Sequence, residues 1–206
     1  MSEYDKLCWS ETMSGCRFDP HDDHPQFTLV DLVWGCARAQ RYAGQFRADV
    51  EHYSVAEHQV LMARHVMAGR RAAELSIEEL LDARSAATHD LTEGLYSDLI
   101  RPLKKGFPEY VAAEERFARD IARRYLLPYP MRPRVKELDS RIIRDERLQA
   151  MNPSPNTWAT DALEPLGVEL QFWSPRRAAQ ELSDLLAELR VGHGAGPMGL
   201  TQVGPR

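Results

Sequence analysis

The sequence is short of features on which several protein classes depend. Its 206 residues contain only three cysteines, at positions 8, 16 and 36, and no CxxC pair. That number argues against a disulfide framework or a structural zinc site and favours a reducing compartment. No apolar run approaches the roughly 18 residues of a membrane-spanning helix. The polar, acidic start of the chain shows no apolar signal core. We therefore expect a cytoplasmic protein that does not enter a membrane.

The chain also lacks an excess of basic over acidic residues. The chain has 26 lysines and arginines against 31 aspartates and glutamates, a formal net charge of −5. Proteins that coat nucleic acid usually carry a basic excess, so we expect no nucleic-acid polymer as a partner. A small phosphate-bearing substrate is not excluded, because it needs only a local site. The motifs GxSxG and GxxxxGK[ST] are absent, which disfavours a serine hydrolase and a P-loop.

The sequence does contain strong helix signals. Three segments begin with a capping box, in which a hydroxyl group and a carboxylate three residues later satisfy free backbone amides. Each segment also closes at a glycine. We therefore predict helices that begin at Thr28, Ser54 and Ser76 and end at Gly44, Gly69 and Gly94.

Further helical patterns follow along the chain. Apolar side chains from Tyr110 to Tyr125 form one stripe, a second helix covers about 135–150, and a last helix has Ser174 as its N-cap. The proline-containing stretch 152–171 predicts a loop, with a short extended piece at 168–172.

These signals predict an all-α fold, a single helical bundle of six or more helices. We expect the bundle to cover 28–190. A polar N-terminal segment, 1–27, would pack on it, and 191–206 would form a flexible tail rich in glycine and proline.

Two histidines and an aspartate are candidates for a metal site. His58 lies near the start of the second predicted helix, and His89 and Asp90 lie near the end of the third. Neighbouring helical residues point ~100° apart, so a His-Asp pair can direct two different ligands at one ion. Imidazole and carboxylate suit Zn, Mn, Fe, Co or Ni better than calcium. Taken alone, the His-Asp pair is weak evidence for a metal site, because most such pairs lie on the surface or contain a core histidine.

Asp139 strengthens the prediction of a site. It lies against the apolar stripe of the fifth predicted helix, and a buried carboxylate needs a cation or strong donors. A buried ion pair with an arginine, such as Arg141 or Arg147, is the alternative to a metal. Asp145 lies on a different face of this helix, whereas Glu146, seven residues after Asp139, lies nearer the same face.

These residues and their surroundings resemble a known family. His58 lies within SVAEH, and His89-Asp90 lies within ATHDLTEGLYSDLIRPLKK. The chain also contains SGCRFDP near its start, RYAG at 41–44 and VKELDSRIIRDE at 135–146. Over about 14–190 the pattern resembles the HD-domain phosphohydrolase superfamily. Within it, the pattern is most similar to bacterial and phage 5′-deoxynucleotidases and small dNTP (including dATP) triphosphohydrolases.

The resemblance implies a metal centre and a hydrolytic reaction. It assigns the binding of one divalent metal, Mn, Co or Zn with Mg as a possibility, to His58, His89, Asp90 and Asp139. No histidine occurs between 91 and 192, which argues for one metal and against redox chemistry.

The resemblance also implies roles in substrate turnover. Glu93 matches the acid that positions or deprotonates the attacking water, and Asp98 matches a second acid near the leaving group or the sugar. Arg41 matches an arginine that contacts phosphate or base, and Tyr42 stands where relatives often have Trp or Phe. Lys104 is placed to bind phosphate, although a solvated lysine after a proline is an equal alternative.

Several functional alternatives stay open at this stage. A deoxynucleoside 5′-monophosphatase is favoured narrowly over a triphosphohydrolase that releases nucleoside and triphosphate. Outside the enzymes, the same cluster could serve a metal-stabilised nucleotide-binding module or, without any metal, belong to a helical scaffold. Relatives suggest a homo-oligomer, but no interface can be read from the sequence.

Overall fold

The computed structural model describes residues 9–192, and its regular structure is almost entirely helical. The α-helices are α1 (Leu29–Arg38), α2 (Val55–Met67), α3 (Ile77–Thr88), α4 (Glu93–Tyr96), α5 (Arg101–Lys104), α6 (Pro108–Tyr125), α7 (Pro133–Ala150) and α8 (Pro175–Glu188). Short 3-10 helices cover Arg41–Gly44, Ala72–Glu74 and Ala159–Ala162. Two strands, β1 (Ser10–Glu11) and β2 (Arg17–Phe18), pair antiparallel. The prediction of an all-α fold is confirmed.

The core lies where α1, α2, α3 and α8 meet. Helix α2 packs against both α3 and α8, and α1 packs against α4 and α8. Each helix contributes its apolar stripe, so that Leu32, Val60, Ala86 and Leu182 are all fully buried. Within residues 9–192, none of the helices combines the length and the apolar character needed to cross a bilayer.

Two of the three predicted capping boxes are present. Thr28 and Asp31, and likewise Ser76 and Glu79, exchange the expected pairs of hydrogen bonds. At the start of α2 only half of the box forms. The Ser54 hydroxyl accepts from the Glu57 amide at 3.0 Å, but the Glu57 carboxylate turns away to bind the chain just before α8. Long-range hydrogen bonds to the Glu57 carboxylate thus replace its local bond in the capping box.

Helix α1 ends earlier than the glycine signal predicts. It stops at Arg38, and the chain then pairs with the segment before α2: the Arg41 amide donates to Tyr53 O and the Val55 amide to Ala39 O. This long-range pairing replaces the next turn of helix. Gly44, with a φ of +71°, instead ends the short 3-10 helix that follows.

Helix α3 also stops before its predicted glycine, at Thr88 rather than Gly94. Gly94 belongs to the short helix α4, where it permits a backbone contact with α1. A Cβ on Gly94 would lie 2.4 Å from Leu32 O, and one on Gly35 would lie 1.8 Å from Gly94 O. The absence of two side chains therefore brings α4, and Glu93 with it, against α1.

The segments outside the main helices agree only in part with the sequence predictions. Near the N-terminus, the Ser14 hydroxyl donates to Asp31 at 2.7 Å, which ties residues 9–27 to α1. The predicted extended piece at 168–172 forms no strand. Val191, placed at the start of the predicted tail, is buried, and 193–206 of that tail lie outside the described residues.

Candidate metal centre

The two histidines and Asp139 meet between α2, the end of α3 and α7. His58 lies in the first turns of α2, His89 caps the C-terminus of α3, and Asp139 lies in α7. One donor atom from each of the three lies within 4.8 Å of the other two. This is the spacing expected of side chains that share one ion, and the three could hold a metal ion.

Both imidazole rings are oriented through their Nδ1 atoms. His58 Nδ1 donates to Glu146 Oε1 at 2.7 Å, and His89 Nδ1 donates to Ala86 O at 3.0 Å, because a carboxylate and a carbonyl can only accept. In the neutral ring, the proton on Nδ1 leaves a lone pair on Nε2. Both Nε2 atoms are buried, and neither has a hydrogen-bond partner among the described residues. Such orphaned nitrogens are what a metal requires of its imidazole ligands.

Two carboxylates face these nitrogens. Asp139 Oδ1 lies 3.3 Å from His58 Nε2 and 3.9 Å from His89 Nε2. Asp90 Oδ2 lies 3.1 Å from His89 Nε2 and 3.8 Å from His58 Nε2. Two imidazole nitrogens and two carboxylate oxygens form a donor set that suits Zn, Mn, Co or Fe. The residues present therefore fit the group that the sequence implies.

Asp139 does not pair with either of the arginines considered as alternatives. Arg141 binds the backbone oxygens of Glu164 and Pro165, and Arg147 binds Asp161. The arginine at Asp139 is Arg101, whose Nη2 lies 3.3 Å from Oδ2 while the facing Oδ1 is directed at the histidines. The alternative of an ion pair is therefore present, but with an arginine of another helix, because Arg141 and Arg147 bind the loop around 156–165 instead.

The charges of the cluster shift the pKa values of its members. Burial and the Arg41 guanidinium lower the pKa of His58, but the carboxylates of Glu146 and Asp139 outweigh them and raise it to about 9. Burial acts to raise the pKa of Asp90, but the neighbouring His89 lowers it to well below the ordinary value. The cluster therefore prefers ionised carboxylates beside positive charge, whether from a proton or from a metal.

Arg41 and Tyr42 approach the cluster from a strained turn. Tyr42 and Ala43 have φ values of 55° and 53°, a left-handed conformation that is costly for residues with a side chain. The buried guanidinium of Arg41 lies 3.7 Å from Asp90 and 4.0 Å from Asp98. Its Nη2 also donates to Glu146 at 3.3 Å, and the Tyr42 hydroxyl donates to the same carboxylate. Both predicted substrate contacts thus adjoin the histidine cluster.

Glu93 and Lys104 form an ion pair beside Asp90 and Asp98. Lys104 Nζ lies 3.5 Å from Glu93 Oε1 and 2.9 Å from Glu114 Oε1. Glu93 is almost fully buried, and its Oε2 has no hydrogen-bond partner among residues 9–192. Burial, with the carboxylates of Asp90 and Asp98 nearby, raises the pKa of Glu93 well above its ordinary value.

Sequence reasoning missed Arg101 and Tyr53 as residues of the site and gave Glu146 no partner. Arg101 has no periodic signal because it follows an irregular turn. Tyr53 reads as an ordinary core aromatic. Glu146 was placed near the face of Asp139 by its seven-residue spacing, but its contact with His58 depends on how α2 and α7 pack. A search for the acceptor that orients His58 could have found Glu146, because its spacing from Asp139 places it near the same helix face.

Comparison with known proteins adds a partial likeness. No family model matches the chain. The chain is 32% identical over 119 residues to "Uncharacterized protein YfdR" of Escherichia coli (strain K12). The match covers 58% of this chain and 58% of YfdR, so it spans little more than half of either protein. The chemistry of the site must therefore be argued from its own residues.

Proposed function

We propose that this protein is a metal-dependent nucleotide phosphohydrolase of the HD-domain type. The observation that carries the proposal is the pair of buried histidines whose Nε2 atoms face Asp90 and Asp139 and make no hydrogen bond within residues 9–192. Buried polar atoms without a hydrogen bond are costly. A metal ion bound between these nitrogens and the two carboxylates would remove that cost, which supports a cation site here.

The residues around the centre supply the parts of a hydrolytic reaction. A divalent ion bound there would lower the pKa of a bound water and polarise a phosphoryl oxygen. Glu93, one of whose carboxylate oxygens accepts no hydrogen bond from the described part of the chain, would orient the attacking water and accept its proton. Its pKa is raised in the metal-free protein, and added positive charge nearby would return it towards the ionised form.

Cationic side chains at the site would bind the phosphate. Arg41 and Lys104 can donate charge-assisted hydrogen bonds to phosphate oxygens. Asp98, which lies 4.0 Å from Arg41, is our choice for the acid that protonates the leaving 5′-oxygen of the nucleoside. Protonation matters because an alkoxide is a poor leaving group.

The charge balance of the site favours a nucleoside monophosphate as substrate. The cations that the described residues place here, Arg41, Arg101 and Lys104, each already contact one or more carboxylates. A triphosphate would bring three phosphoryl groups to a predominantly acidic site. We therefore prefer a deoxynucleoside 5′-monophosphate, which would be cleaved to nucleoside and inorganic phosphate.

The test is product analysis with the purified chain. Nucleoside mono-, di- and triphosphates, in ribo and deoxy forms, are incubated with protein loaded with Mn²⁺, Co²⁺, Zn²⁺ or Mg²⁺. We expect inorganic phosphate and nucleoside from the monophosphates, and we expect a chelator or His89→Ala to abolish both.

Other products would redirect or end the proposal. Intact triphosphate released from dNTPs would assign the triphosphohydrolase reaction instead. Metal-dependent nucleotide binding without turnover of any substrate would contradict an enzyme and favour a non-catalytic binding module.

A further inference from the structure

Glu146 is a fully buried carboxylate at the centre of the site. A buried charge of this kind is stable only when nearly all of its acceptor positions are filled by donors. Glu146 meets this condition with four side chains: those of Arg41, Tyr42, Tyr53 and His58. These donors come from the turn after α1, the segment before α2, and α2 itself.

The two oxygens of Glu146 serve different partners. Oε1 accepts from His58 Nδ1 at 2.7 Å and from the Tyr53 hydroxyl at 2.8 Å. Oε2 accepts from Arg41 Nη2 at 3.3 Å and from the Tyr42 hydroxyl. One oxygen thus faces a candidate metal ligand, and the other faces the strained turn that presents the candidate phosphate contacts.

We propose that Glu146 is a positioning residue that holds His58 for metal binding and couples its orientation to the Arg41–Tyr42 turn. The assignment rests on the metal centre of the proposed function. By accepting a hydrogen bond from the Nδ1–H group, Glu146 sets the tautomer in which Nε2 can ligate and makes the ring a more basic ligand. By binding Arg41 and Tyr42 through its other oxygen, it holds the strained turn against the same site.

The neighbouring residue provides a matched contrast. Asp145 is also buried, but its carboxylate accepts from the backbone amides of Leu166, Gly167 and Val168 at 2.7–3.1 Å. It therefore holds the loop after α7. Two adjacent acids on one helix thus carry out separate tasks.

The experiment compares Glu146→Gln with Asp145→Asn in the full chain. Each change removes one buried negative charge while keeping the shape of the side chain. The Co²⁺ affinity of the folded protein is measured by competition with a chelating dye, and thermal unfolding is followed without metal. For Glu146→Gln we expect a roughly 10–100-fold loss of Co²⁺ affinity. For Asp145→Asn we expect a lower Tm and an affinity within about threefold of the wild type.

Tyr53→Phe tests the same proposal should Glu146→Gln fail to fold. It deletes one hydroxyl group from a buried ring, whose contact is with Glu146 Oε1, and leaves the carboxylate in place. We expect a smaller loss of Co²⁺ affinity, roughly threefold to tenfold. The reason is that the Glu146 oxygen that orients His58 loses its hydrogen bond from Tyr53 and is held less firmly. Wild-type Co²⁺ affinity in Glu146→Gln, or in Tyr53→Phe should Glu146→Gln not fold, would overturn the assignment.

The failure of this inference can be told apart from that of the proposed function. Hydrolysis by the wild type with unchanged Co²⁺ affinity in Glu146→Gln would refute the positioning role alone. A second result is that the wild type binds Co²⁺, Glu146→Gln binds it more weakly, and neither protein hydrolyses any nucleotide. That result would support the positioning role and refute the proposed enzyme.

Discussion

Buried carboxylates serve two regions of this molecule in different ways. In the first, Glu57 and Asp145 hold the chain between α7 and α8: Glu57 accepts from the amides of Gln171, Phe172 and Trp173, and Asp145 accepts from those of residues 166–168. We call this pair the loop clamp. In the second region, the candidate metal centre, the acids face side chains, and two histidine nitrogens make no hydrogen bond to any residue that the structure describes.

The contrast separates structural acids from functional ones. Backbone amides are fixed by the fold, so each acid of the loop clamp finds its donors once the chain is folded, and nothing further is needed. At the metal centre, Asp90, Glu93 and Asp139 lie together in a buried space, where their mutual repulsion is a cost. A cation would offset that cost, and these residues could hold one.

The largest effect should come from Glu93→Gln, which tests the catalytic side of the contrast. The change keeps the size of the side chain but removes the carboxylate that would accept the proton from water. We expect turnover to fall about 10²–10⁴-fold, while Co²⁺ affinity and substrate binding stay near wild type. Steady-state kinetics and a Co²⁺ titration measure the two.

Glu114→Gln is the control for Glu93→Gln, because Glu114 also contacts Lys104. We expect its turnover to change by no more than about tenfold, since that ion pair is partly exposed. Full activity in Glu93→Gln would contradict the mechanism.

Removing a member of the loop clamp should cost stability without affecting the metal. Asp145→Ala leaves three backbone amides without their acceptor, and we expect the free energy of unfolding to fall by about 2–4 kcal/mol. Urea denaturation measures the loss. The exposed Glu169 in the same loop provides a control, for which Glu169→Ala should change stability by less than about 0.5 kcal/mol. If folded Asp145→Ala lost its Co²⁺ affinity, the two regions would not be separate.

The contact between α1 and α4 places Glu93, so its disruption should reach the site through the backbone. A Cβ on Gly94 would lie 2.4 Å from Leu32 O, whereas one on Gly106 would be 3.4 Å from its nearest neighbour, Leu103 O. We expect Gly94→Ala to lower the free energy of unfolding by about 1–3 kcal/mol and also to reduce turnover. Gly106→Ala should do neither. Equal thermal stability of the two variants would show that the contact adjusts without strain.

The smallest effect is the pH dependence of metal binding. Burial and Arg41 lower the pKa of His58, but Glu146 and Asp139 raise it to about 9 in the metal-free protein. The protonated form therefore contributes stability that is fully present below the unfolded value of about 6.5 and is lost as the pH rises through 9. A metal must displace that proton, so Co²⁺ affinity should rise about tenfold from pH 7 to pH 8. Equal affinity at the two pH values would show that His58 is already neutral.

The sequence predicted those parts of the molecule that depend on local spacing. The capping residues located the starts of α1, α2, α3 and α8. The apolar stripe of its helix predicted that Asp139 faces inward, whereas only the family resemblance implied that it shares a site with His58 and the His89-Asp90 pair. Helix ends were predicted less well, because the pairing of Arg41 with Tyr53 and the contact of Gly94 with α1 join distant parts of the chain.

The partners of each acid could not be predicted for the same reason. Asp139 meets Arg101 from a separate helix rather than an arginine of its own helix. Glu57 looks like half of a capping box in sequence, yet it binds amides more than 110 residues away. Whether an acid is structural or functional depends on these long-range donors, which only the packing of the helices determines.

A stoichiometric Co²⁺ titration of the wild type and of His89→Ala, followed by visible absorption and equilibrium dialysis, tests the central claim most directly. His89 is held by a backbone carbonyl rather than by the Glu146 network, so its loss should leave the fold largely intact. The account predicts one Co²⁺ per wild-type chain and an affinity at least roughly 100-fold lower in the variant. Equal binding by both proteins, or no binding by the wild type, would contradict a metal centre at this cluster.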